Sequence, residues 1–225
     1  MSRSLIAPIA LACTLLCATQ ARADNVSFAG FANGYQTVTV ALSSPNLPLT
    51  QTVQAGGFMT SLNGGPSFAT FCIDLYQHLD FSSTFNDYHV VAGASHSFAN
   101  ANANTDISRL YAEGNALTSA TAEAAFQIAI WEIAFETSGS YSLGAGSARF
   151  SGGTAATSGA LALASSWLSA LPATSNYTVT TLESASHQDQ VFATPAVPEP
   201  STYALMFGGL VGMGLFARRR SAPRD

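Results

Sequence analysis

The sequence contains no lysine. Its eight basic residues are all arginine, and charged residues of both signs fill only 9% of the 225 positions, against roughly 25% in an ordinary soluble domain. Six of the arginines, Arg3, Arg22, Arg218, Arg219, Arg220 and Arg224, lie in the two terminal segments. Between residues 24 and 196 only Arg109 and Arg149 stand against eleven Asp and Glu, a net charge of −9. Such a chain has no cationic face with which to neutralise phosphates, which argues against nucleic acid as a partner. Cysteine is scarce, at three. The four histidines, His78, His89, His96 and His187, show no zinc spacing, so neither a metal nor an organic cofactor is expected. The G-x-S-x-G, phosphate-loop and dinucleotide patterns are absent, and nothing points to an enzyme of repeated turnover.

Apolar residues make up 48% of the chain, and much of that surplus sits at its ends. Arg3 precedes an apolar run from Leu5 to Ala18, followed by Ala21-Arg22-Ala23. This A-x-A site predicts a secretory signal peptide over residues 1–23, cleaved before Asp24. Cys13 and Cys17 leave with it, since Leu16 is too bulky for a usual lipoprotein site. One thiol, Cys72, then remains, and an odd cysteine in an oxidising compartment needs a reason. At the other end, Val197-Pro198-Glu199-Pro200 precedes a short apolar stretch and Arg218-Arg219-Arg220. Residues 201–217 are just long enough to span a bilayer, and the arginines would hold their end on the cytoplasmic side. The order of Pro-Glu-Pro, apolar helix and arginine cluster over residues 197–225 resembles the PEP-CTERM sorting signal of Gram-negative bacteria that make exopolysaccharide. The resemblance implies recognition and removal by an inner-membrane exosortase, after transient anchoring, with the product at the cell surface or outside. It concerns address and not activity.

Residues 24–196 change character midway. Strands are expected over Val26–Phe31, Tyr35–Leu42, Thr50–Leu62, Phe68–Leu79 and Tyr88–Ala92, punctuated by Asn33-Gly34 and Asn63-Gly64-Gly65. Helices follow over Thr105–Leu117, Ser119–Thr137 and Ala155–Leu171, the last stopped by Pro172. Tyr177–Leu182 and Gln190–Ala193 read as closing strands. The expected fold is α+β, a β-sandwich or barrel-like part followed by a small helical part.

Two segments stand out. Phe71-Cys72-Ile73-Asp74 lies on an apparently buried strand, and Phe126-Gln127-Ile128-Ala129-Ile130-Trp131 lies on the second helix, its glutamine 55 positions after the cysteine. Helical spacing puts Gln127 in the middle of the apolar arc and Glu132 and Glu136 on the opposite, solvated face. A buried carboxamide without partners costs about 1–3 kcal/mol. If the Cys72 sulfur displaced its nitrogen as ammonia, an internal thioester would account for both residues at once.

These segments resemble the thioester domains of bacterial surface adhesins, which pair an aromatic-Cys-apolar-Asp/Asn strand with a later apolar-Gln-x-Ala-apolar-Trp helix. The resemblance implies a Cys72–Gln127 cross-link at the junction of a β part and a helical part. It also implies one covalent bond to an amine- or hydroxyl-bearing partner. The family's best-known members carry Gram-positive wall anchors, which this chain lacks, so their host-binding biology does not transfer. Water would hydrolyse the bond, and Phe71, Tyr76, Phe126 and Trp131 are candidates for an apolar shield. Asp74 is the first choice for an assisting group, with His78, Glu132 and Glu136 also near. A chain carrying its own electrophile escapes self-capture if it exposes no ε-amine, although an Ala- and Ser-rich secreted composition accounts for the missing lysine equally well. Two other readings stay open: a noncovalent matrix or carbohydrate-binding protein, and a hydrolase using Cys72 with His78.

Overall fold

The computed structural model describes residues 23–43, 47–81 and 83–196. Nearly all of the expected signal peptide and the whole of the expected sorting tail, with its apolar helix, lie outside these residues. Among the described residues no helix is long and apolar enough to cross a membrane.

In chain order the strands are β1 (Asp24–Phe31), β2 (Gln36–Leu42), β3 (Leu49–Ala55), β4 (Phe58–Leu62), β5 (Phe68–Cys72) and β6 (Thr84–Ala92). Then come α1 (Ala103–Leu110), α2 (Ala120–Phe135), β7 (Ala148–Ser151), α3 (Ala155–Ser169), β8 (Tyr177–Glu183) and β9 (Gln190–Pro195). Six strands close a barrel in the order β1-β4-β5-β9-β8-β6, and β3-β2-β7 form a separate sheet. All pairings are antiparallel. The expected barrel-like fold is therefore present, but the helices do not follow it. They are inserted between β6 and β8, and the chain returns to close the barrel.

Side-chain alternation explains the strands. In β2, Val38, Val40 and Leu42 are buried while Thr37, Thr39 and Ala41 are at least partly exposed, as period-two spacing requires. Between β4 and β5, Asn63 and Gly64 both take positive φ, the left-handed pair that a tight hairpin turn needs. The expected single strand Thr50–Leu62 is broken at Gly56-Gly57, where the chain leaves the three-stranded sheet for the barrel. A Cβ on Gly56 would lie 2.5 Å from the Gly34 carbonyl oxygen, so this crossing admits only glycine. The expected strand Phe68–Leu79 ends at Cys72, and the expected helix Thr105–Leu117 becomes α1 plus a 3-10 turn over Tyr111–Ala116.

The largest correction concerns α2. Ser119 caps it, its hydroxyl accepting from Ala122 N–H at 3.2 Å, but no face of the helix is solvated. Every residue from Ala122 to Phe135 is buried, because the helix packs against both sheets and lies between α1 and α3. Glu132 and Glu136, expected outside, are inside. A loop over residues 137–147 folds back and offers them N–H groups: Ser142 N–H donates to Glu132 at 2.5 Å, and Ser138 and Ser147 N–H donate to Glu136 at 2.6 and 2.8 Å.

Buried Glu123 fixes the start of the helix to the glycine crossing. Its carboxylate accepts from Asn33 N–H at 3.0 Å, Asn33 Nδ2 at 2.7 Å and Gly57 N–H at 3.3 Å. Glu123→Ala leaves the Asn33 and Gly57 N–H groups without this acceptor, Asn33 Nδ2 keeping only the Leu117 carbonyl at 3.2 Å, and is expected to destabilise the protein by about 1–3 kcal/mol, read as a lowered denaturation midpoint. An unchanged midpoint would show that the latch is not structural.

Candidate functional site

Cys72 is the last residue of β5, and its position in the barrel has an unusual consequence. On one edge it pairs with Gln190 of β9. On the other edge β4 begins only at Phe58, opposite Thr70, because the preceding residues have crossed to the other sheet. The main chain of Cys72 therefore lacks a strand partner there, and a buried peptide group without partners is costly. Gln127 supplies them from α2. Its Oε1 accepts from Cys72 N–H at 2.8 Å, and its Nε2 donates to the Cys72 carbonyl at 2.8 Å. The side-chain amide acts as one rung of a missing strand. This arrangement satisfies Gln127 with backbone alone, which removes the penalty that burial of an amide would otherwise impose. It also holds the carboxamide against the residue that carries the sulfur, both side chains being inaccessible to solvent.

The Cys72 thiol donates to the Asp74 carbonyl oxygen at 2.8 Å. The buried Trp131 indole N–H has no hydrogen-bond partner among the described residues, but it lies near enough to the sulfur to favour its charged form. Burial pushes the thiol far above its usual range. The Trp131 indole and the Asp74 carbonyl draw it part of the way back, and the charges of Asp74 and Asp189 add to the rise. At neutral pH the sulfur is a protonated thiol.

The residues expected to shield the site are placed as follows. Phe71 and Phe126 pack with ring centroids 4.7 Å apart, and Trp131 stacks on Phe150 at 6.5 Å with rings 3° from parallel. Tyr76 is only half-buried, and its hydroxyl donates to the Leu47 carbonyl, so it stands at the rim. Asp74, the first choice for an assisting group, lies beyond the end of β5. Its carboxylate accepts from Tyr76 N–H at 2.8 Å and caps a turn, while its carbonyl holds the thiol. The structure does not bring Glu136 or His78 into hydrogen-bond contact with the sulfur. His78 is exposed but lines the same cleft as Cys72, a cavity of about 240 Å³ that also reaches Trp131. The cleft's other walls, including Gln77 and Phe81, were not singled out from sequence. They lie on an irregular segment whose path no periodicity reveals.

Comparison with known proteins finds one match. Residues 196–220 match the PEP-CTERM protein-sorting motif. No curated protein and no solved structure matches the chain. The sorting motif marks an exported protein that is handled by an exosortase and passes through the membrane to the cell surface or beyond.

Glu132 gives the site helix a pH dependence. Burial raises its carboxyl from the ordinary 4.5 to about 7, the Ser142 N–H opposing and the Glu136 charge adding to the rise, and its Oε2 has no partner. A folded-state value above the unfolded one stabilises at low pH. That contribution is complete below about pH 4.5 and is lost as pH rises through about 7. Glu132→Gln is expected to flatten this decline in a series of thermal melts between those pH values. A decline of the same slope in the variant would place its origin elsewhere.

Proposed function

We propose that this exported chain carries an internal thioester between Cys72 and Gln127 within a domain over residues 24–196, and that it uses the bond once, to attach itself covalently to a nucleophile-bearing partner at the cell surface or in its matrix. The observation that carries the reading is the seating of the buried Gln127 carboxamide on Cys72 itself. Holding two reactants together replaces a bimolecular encounter by a unimolecular step. Bond formation joins the sulfur to Gln127 Cδ, and the amide nitrogen departs as ammonia with the thiol proton. Burial opposes a free thiolate, but it does not oppose the product, since a thioester carries no charge in the core.

Attack by an amine reverses the exchange. The new C–N bond forms at Gln127 Cδ, the C–S bond breaks, and the proton lost from nitrogen goes to sulfur. The departing sulfur passes through a state with negative charge, and Trp131, which lines the same cleft and has a buried N–H without a hydrogen-bond partner among the described residues, is the candidate donor to it. A hydrolase reading is disfavoured by the thiol's hydrogen bond to a carbonyl instead of an imidazole. The Ser184, His187 and Asp87 group offers no better nucleophile, because the Ser184 hydroxyl donates to Asp87 and accepts the N–H groups of Ser186 and His187, closing a turn.

The purified exported chain is expected to weigh about 17 Da less than its processed sequence, with Cys72→Ala and Gln127→Ala each abolishing that deficit. Methylamine should add to the wild type and to neither variant. A native mass equal to the sequence, with no methylamine adduct, would overturn the proposal. Trp131→Phe, which keeps a ring and removes the N–H, should slow methylamine uptake about tenfold, the equivalent of one hydrogen bond of about 1.4 kcal/mol. An unchanged rate in a variant that still shows the mass deficit would return Trp131 to a packing role.

A further inference from the structure

The cleft that reaches Cys72 differs in chemistry from the rest of this acidic protein. One wall is aromatic: Phe31, Phe58 and Phe81 lie with centroids 5.1 to 5.8 Å apart, and Phe81 is 41% exposed. The lining also holds Gln51, Gln54, Gln77, Gln188 and His78. Three of these amides are fixed, Gln51 Nε2 donating to the Leu75 carbonyl at 2.8 Å, Gln188 Nε2 to the Gln77 carbonyl at 3.2 Å and Gln77 Nε2 to the Ala185 carbonyl at 3.3 Å. Gln77 Oε1 is buried and has no hydrogen-bond partner among the described residues, and Gln77 lines both this cleft and a neighbouring cavity. The lining contains neither a carboxylate nor an arginine.

An ammonium-bearing side chain finds its complement elsewhere. A separate cavity of about 590 Å³ brings together Asp74, Asp189 and the rings of Tyr76, Phe98 and Phe135, but Cys72 is not part of it. The cleft that Cys72 lines offers instead aromatic faces, neutral amides and the His78 ring. That combination suits a ring that is apolar on its faces and hydroxylated at its edge. The cavity's 240 Å³ falls below the range of about 300–1,000 Å³ that holds drug-sized ligands, so it accommodates one such ring and not a chain of them.

We propose that the cleft at Cys72 is a subsite for a single pyranose unit, and that the nucleophile reaching Gln127 is borne on a saccharide and not on a lysine side chain. The second half rests on the thioester reading, while the first does not. With an amino sugar, the sugar nitrogen bonds to Gln127 Cδ, the C–S bond breaks and the nitrogen's proton passes to the Cys72 sulfur. With a hydroxyl, the oxygen does the same and an ester results.

The test uses the exported chain purified whole. Glucosamine, Nα-acetyllysine and methylamine are offered at equal concentrations of uncharged amine, and adducts are followed by intact mass. Glucosamine should add about tenfold faster than Nα-acetyllysine, the equivalent of about 1.4 kcal/mol of recognition, and Phe81→Ala should bring the ratio close to one. Equal rates in the wild type, or a ratio that survives Phe81→Ala, would overturn the proposal. Calorimetry with a glucosamine tetramer on Cys72→Ala, which cannot form the covalent bond, tests the subsite alone. Binding that Phe81→Ala abolishes supports it, and no binding overturns it. If the wild type shows no mass deficit while Cys72→Ala still binds the tetramer through Phe81, the thioester reading fails and the saccharide subsite stands as a noncovalent one.

Discussion

Two hydrogen bonds of 2.8 Å between the Gln127 carboxamide and the main chain of Cys72 join the central helix to the barrel where the barrel lacks a strand. The surrounding architecture depends on that join. The chain leaves the barrel edge at Gly56-Gly57, so the last rung of β5 is left open. Glu123, one turn before Gln127, binds the departing glycine segment through Gly57 and the turn at Asn33. One helix thus holds both the strand end and the segment whose departure exposes it. Substitution at Gln127 disturbs a structural contact as well as a reactive one, which is why mass and reactivity separate the two roles better than stability does.

The environment of the sulfur favours uncharged states throughout. The thiol is buried, the Asp74 carbonyl accepts its hydrogen bond, and nearby carboxylates disfavour a thiolate. A group in such surroundings is a poor free nucleophile, because the thiolate is the reactive form. The proposed thioester, by contrast, is itself neutral, so the burial that disfavours a thiolate does not oppose it. The proposed single use is compatible with a protein that passes through the membrane to the cell surface or beyond.

Much of this was legible in the sequence where local chemistry dominates. The Asn63-Gly64 turn, the alternation in β2 and the start of the second helix at Ser119 follow from residue type and spacing, while the pairing of the Cys72 and Gln127 segments was implied by the resemblance to thioester domains. What was not legible depends on tertiary environment. Glu132 and Glu136 read as a solvated face because acidic residues on a helix usually are; their burial depends on N–H groups from a loop with no periodic signal. The break at Gly56-Gly57 depends on the approach of Gly34, more than twenty positions earlier in the chain. Phe31, Phe58 and Phe81 come from three separate segments, and nothing in any one of them marks a shared wall.

The account centres on whether the Gln127 side-chain carbon is bonded to nitrogen or to sulfur. The most direct measurement is a carbon-13 spectrum of the exported protein labelled at the glutamine Cδ position, compared with Cys72→Ala. The account predicts one resonance displaced far downfield from the carboxamide group into the thioester region, coupled to no amide protons, and restored to the carboxamide group in the variant. A spectrum in which every glutamine Cδ, Gln127 included, resonates as a carboxamide in both proteins would contradict it.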